Sequence, residues 1–239
     1  MPGLDKNKNS KTTEDYLRAA TLFSDLLCRE CLNESSDAAQ LLLRACLHNS
    51  ELKVRPATLP APLVLQEGSA PLITAWCEDD TGQSMLARLY LAETLKEVEQ
   101  RAEAESALLC MAALEHSRGT AIARLSVEQL PAQQLIYILR ADPFKIGRAS
   151  YELRRVYTNV RDTPQLKGKS HIRLINGIYD GNDLLGEVLE DMRKSDPNLM
   201  KLPALREAVK LLKPGREDSL EIKERKIKRF EPLLGELEL

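Results

Sequence analysis

The chain has 239 residues, of which 43% are hydrophobic and 29% charged, with a formal net charge of −2. That balance is ordinary for a globular protein long enough to bury a core. Aromatic residues make up only 4%, few for a β-sandwich or barrel, and no apolar run reaches the roughly 18–20 residues that cross a bilayer.

The polar start, Met1 to Thr13, has no apolar stretch of a secretory leader. The expected location is therefore intracellular, cytoplasmic or nuclear, with no membrane partner. Residues 1–12 read as a disordered tail. A helix follows from Thr13 to Leu32, with Tyr16, Ala20, Phe23, Leu27 and Cys31 at helical spacing. Ser36 caps a second helix to His48, making residues 13–50 a helical hairpin. Pro56, Pro60, Pro62 and Pro71 then exclude helix, and residues 51–71 read as a linker or functional loop.

Residues 72–239 read as a helical main domain. Gln83 to Arg118 contains neither proline nor glycine and is rich in Ala, Leu and Glu, which predicts one long helix or a tight helical pair. Ser126-x-x-Gln129 reads as a capping box opening a helix through Leu139. A helix is predicted from Gly147 to Val160, and further helices over Asp183–Lys194, Pro203–Leu212 and Ser219–Phe230. The expected fold is predominantly all-α, an irregular globule of about eight helices. Minor β elements are allowed near 51–65 and 171–178, where Ile172 to Ile175 alternates. No fixed repeat supports a solenoid.

Familiar chemical motifs are incomplete. Gly168-Lys169-Ser170 resembles the end of a phosphate loop, but Thr163 stands where the first glycine belongs, so the backbone cannot wrap phosphates. Ser50-x-x-Lys53 lacks the companion motifs of a Ser/Lys nucleophile. Asp180, Asn182 and Asp183 suggest a calcium loop, but Leu184 occupies a ligand position, and the segment reads as a helix cap. Cys28, Cys31, Cys46 and His48 have donor types that suit tetrahedral zinc. Cys31 lies on an apolar helix face, however, and cysteines among leucines read as core thiols. No metal and no cofactor are expected. Cys77 and Cys110 complete an odd set of five, which fits free thiols.

Charge is uneven. Residues 1–120 hold 12 basic and 18 acidic side chains, and residues 121–239 hold 22 and 18. Between 144 and 173 lie Lys145, Arg148, Arg154, Arg155, Arg161, Lys167, Lys169 and Arg173, opposed only by Glu152 and Asp162, with Tyr151 and His171 among them. On a helix, Ala149, Leu153, Val156, Tyr157 and Val160 would face the core and the arginines would face outward around Tyr151. Arginines around an aromatic suit a phosphate backbone with stacked bases.

The leading expectation is a non-catalytic helical protein that binds RNA or DNA through this face, with head-to-tail self-association allowed by the charge asymmetry. The alternatives are a protein-only adaptor or assembly subunit, and a helical enzyme without a recognisable motif. If acidic residues of the same chain engage the arginines, the adaptor reading takes over.

Overall fold

The computed structural model describes residues 6–57, 70–116, 130–154 and 169–235. It divides into two compact units, residues 1–38 with 190–239, and residues 39–189. This is a different partition from a hairpin, a linker and a main domain.

The first unit is helical. It contains α1 (Lys6–Ala19), α2 (Asp25–Glu34), α6 (Pro203–Leu212) and α7 (Leu220–Gly235), with α1 against α7 and α2 against α6. Leu17, Leu27, Cys31, Val209 and Phe230 are sealed in its core. The Lys213 ammonium donates to the carbonyls of Ala20 and Ser195, and burial lowers its pKa to about 8. α1 begins inside the segment expected to be a tail. The single helix expected over 13–32 is broken between Ala19 and Asp25, where Tyr16 Oη meets Ser24 Oγ.

The second unit carries a six-stranded mixed sheet, in spatial order β1 (Lys53–Pro56), β2 (Ile73–Glu78), β3 (Ser84–Ala92), β4 (Ala132–Leu139), β6 (Ser170–Asn176) and β5 (Ser150–Leu153). β3, β4 and β6 run parallel, while β1–β2, β2–β3 and β5–β6 are antiparallel. α4 (Leu95–His116) follows β3 and packs on β3, β4 and β6. α3 (Ser36–Leu47) and α5 (Leu184–Met192) complete the described helices.

The expectation of a predominantly all-α protein is therefore wrong. The chain is α/β, with seven described helices and a six-stranded sheet. The physical reason lies in β3 and β4. Leu86, Arg88 and Tyr90 face α4, while Ala87 and Leu89 are buried on the other face. A strand covered on both sides loses its apolar alternation. Its leucines and alanines then imitate a helix by composition, and tertiary packing overrides propensity.

The predicted helix from Gln83 is β3 as far as Ala92 and becomes helical only at Leu95. The start of β3 is set by a turn in which the Asp79 carboxylate accepts from Thr81 N, Thr81 Oγ1 and Gln83 N at 3.0, 2.7 and 2.8 Å, with Gly82 at φ +77°. The start of α4 is set by Thr94, whose Oγ1 accepts from Glu97 N at 3.2 Å. The helix expected to run through Leu139 is replaced by β4, and Ser126 lies outside the described residues. β1 and β6 fall where small β elements were allowed, but as members of the large sheet. No described helix is long and apolar enough to cross a membrane.

Candidate functional site

The basic segment does not form the predicted helix from Gly147 to Val160. Residues 150–153 are strand β5, and 155–168, including Arg155, Arg161 and Lys167, lie outside the described residues. The remaining basic residues go to different places. Lys145 and Arg148 are exposed on the loop after β4, and Lys169 is half-buried at the start of β6. Arg154 pairs with Glu152 at 2.6 Å, and His171 Nδ1 lies 3.2 Å from the other oxygen of that carboxylate. Arg154 first and His171 second hold the Glu152 carboxyl below its usual range. Arg173 Nη1 donates to the Cys46 carbonyl at the end of α3 (3.2 Å). With no arginine-lined helix among the described residues and two of the segment's cations engaged, nucleic-acid binding by this face is not supported.

The segment does bring together a loop at the carboxyl end of β4, organised by Asp142. One carboxylate oxygen accepts from Phe144 N (3.0 Å) and Tyr151 Oη (2.6 Å), and the other accepts from Gly147 N (2.6 Å). Burial works to raise the Asp142 carboxyl, but the bonds from Tyr151, Gly147 and Phe144 outweigh it and hold the pKa at about 2. Two left-handed residues close the loop, Gly147 at φ +74° and Lys145 at φ +57°. For a lysine that backbone costs on the order of 1 kcal/mol. Asn176 pins the loop's exit, since its Nδ2 donates to the Arg148 carbonyl (3.1 Å) and its backbone N to Ala149 (3.0 Å).

This locked loop turns apolar side chains outward. Phe144 is 42% exposed and Ile146 62%, with exposed Lys145 and Arg148 beside them. The Phe144 ring meets Tyr151 edge-on at 4.8 Å. Tyr151 is thus occupied as a latch between Asp142 and Phe144, and is not a free stacking platform. Sequence reading assigned Asp142 no role. The signal was an aspartate followed five residues later by a glycine, a pattern suited to side-chain capping of a turn.

A second polar cluster lies under α4. Arg88 Nη1 on β3 meets Glu105 Oε2 on α4 at 2.5 Å, both nearly sealed from solvent. Tyr90 and Tyr137, side by side on β3 and β4, stack with centroids 5.3 Å apart, and Arg101 lies 5.7 Å over the Tyr90 ring. The Tyr137 hydroxyl is buried without a hydrogen-bond partner among the described residues, while the Tyr90 hydroxyl lies beside the Glu105 carboxylate. Burial first, and the nearby Glu105 carboxylate as well, push both phenols far above their usual pKa. The cluster is closed to solvent and serves the packing of helix on sheet.

The zinc alternative divides between the units, with Cys28 and Cys31 in the first and Cys46 and His48 in the second. Burial pushes the Cys31 and Cys46 thiols up to about 12, away from the thiolate a metal needs. Among the described residues no group of three or more His, Cys, Asp and Glu could hold a metal ion.

The fold and the loop define an α/β protein with an ordered, exposed apolar–cationic loop at the carboxyl ends of its parallel strands. No known family model, curated protein or solved structure matches the chain.

Proposed function

We propose that the chain is a protein-binding assembly subunit that engages an acidic, partly apolar protein surface through the loop at 142–148. One observation carries this reading. The Asp142 carboxylate is used to hold a loop that exposes Phe144 and Ile146 beside Lys145 and Arg148. A rigid loop presents its side chains without paying their ordering entropy again on binding. Exposed apolar groups rimmed by charge suit a protein interface. Engagement of Arg154 by Glu152 and of Arg173 by Cys46 favours this reading over a phosphate backbone.

The test is a photoreactive phenylalanine analogue in place of Ile146, activated in the producing cells. The expected product is a discrete protein adduct mapped to position 146. Absence of any protein adduct, or an adduct with nucleic acid only, would overturn the reading.

A further inference from the structure

The described sheet has two edges, and the chain treats them differently. On β1 the antiparallel register with β2, together with the bond from Ala57 N to the Thr74 carbonyl, turns the backbone groups of Lys53 and Arg55 inward and those of Val54 and Pro56 outward. Neither outward residue offers a free donor. Val54 N donates to Gln40 Oε1 on α3 (3.3 Å), and Pro56 has no N–H. That edge is closed to a further strand.

The other edge, β5, is open. Asn176 N donates to the Ala149 carbonyl (3.0 Å), which with the register puts Tyr151 and Leu153 in the bonded pairs with β6. The N–H and C=O groups of Ser150 and Glu152 therefore point away from the sheet. None of these groups has a hydrogen-bond partner among the described residues. The edge also continues the loop. Asn176 Nδ2 holds the Arg148 carbonyl just before Ser150, and the Phe144 ring packs on Tyr151 of β5. Lys145 and Arg148 are exposed, with no ion-pair partner among the described residues. Tyr151 and Leu153 are half-buried on the face that packs under α4.

We infer that the partner supplies an extended acidic segment that adds to the sheet along β5; the inference rests on the protein-binding reading above. The segment's backbone takes up the outward groups of Ser150 and Glu152. Its acidic side chains meet Lys145 and Arg148, and its apolar side chains lie beside Tyr151 and Leu153. The β5 of a second copy fits less well. In the two-fold register that uses all of these groups, Arg148 of each copy stands opposite Arg154 of the other, like charge against like.

Two substitutions at Ser150 separate backbone from side chain, each made with the photoreactive residue at position 146. Ser150→Ala keeps the outward N–H and should leave the protein adduct unchanged. Ser150→Pro removes that N–H on an edge where proline spares the bonds to β6. It should lower the adduct about tenfold, the effect of one lost backbone hydrogen bond. Equal adducts from the two variants would overturn the inference and leave the protein-binding reading standing. Absence of a protein adduct from the parent protein removes both.

Should the proline variant fail to fold, judged by circular dichroism, hydrogen exchange on the purified adduct replaces it. The amides of Ser150 and Glu152 should exchange more slowly there than in the free chain. Unchanged exchange would overturn the inference, and so would an adduct joining position 146 to β5 of a second copy.

Discussion

Two regions of the second unit use the same kinds of residue to opposite ends. Under α4, two arginines, a glutamate and two tyrosines are gathered into the interior, where Arg88 and Glu105 neutralise one another. After β4, an aspartate, a lysine, an arginine and a tyrosine gather at the surface, and the carboxylate is directed onto backbone N–H groups rather than a cation. The interior cluster joins a helix to a sheet. The surface cluster fixes a loop so that its apolar side chains point away from the protein. The difference shows that the density of charge along a sequence does not say what the charges do. Their partners decide, and topology brings the partners together.

The interior pair should give the largest effect when broken. Glu105→Gln leaves the Arg88 guanidinium buried without a counter-charge, and the expected loss is about 3–5 kcal/mol of unfolding free energy, read by urea denaturation. Replacing both, Arg88→Met with Glu105→Leu, should recover most of that loss, because the penalty belongs to the orphaned charge. A double variant as unstable as the single one would show that the pair itself holds α4 on the sheet.

The tyrosines give a smaller effect of opposite sign. Tyr137→Phe removes a buried hydroxyl that has no hydrogen-bond partner among the described residues. The variant should gain about 1 kcal/mol, since the desolvation penalty goes with the hydroxyl while the ring stacking on Tyr90 remains. A loss of stability would mean that the hydroxyl is bonded in solution, for example to an ordered water, and the cluster would then be a satisfied network.

The sequence was legible where local and tertiary preferences agree. α3, α6 and α7 fall close to the segments their periodicity predicts, because each is a surface helix with one apolar face. It misled where they disagree. Leu86 to Leu91 reads as helix by composition and is a strand buried on both faces. Two local signals there went unused, the Asp79-to-Gly82 turn and the Thr94-x-x-Glu97 cap, and together they bracket β3 and start α4.

For the site, the segment was visible by its charge, but the assumed helix placed Arg148, Arg154, Arg155 and Arg161 facing away from the core. The described members, Arg148 and Arg154, instead lie on a loop and just past the end of strand β5. The contact of His171 with Glu152 follows from β5 lying beside β6, and that of Arg173 with the Cys46 carbonyl joins residues 127 apart in the chain, and no local periodicity encodes either.

The central claim is that the loop works because Asp142 holds its shape, and one variant separates shape from composition. Asp142→Ala leaves Phe144, Lys145, Ile146 and Arg148 in place but removes the acceptor for the Phe144 and Gly147 amides and the Tyr151 hydroxyl. With the photoreactive residue at position 146 in this background, the account predicts that the protein adduct disappears while circular dichroism shows the fold intact. An undiminished adduct from the folded Asp142→Ala protein would contradict it.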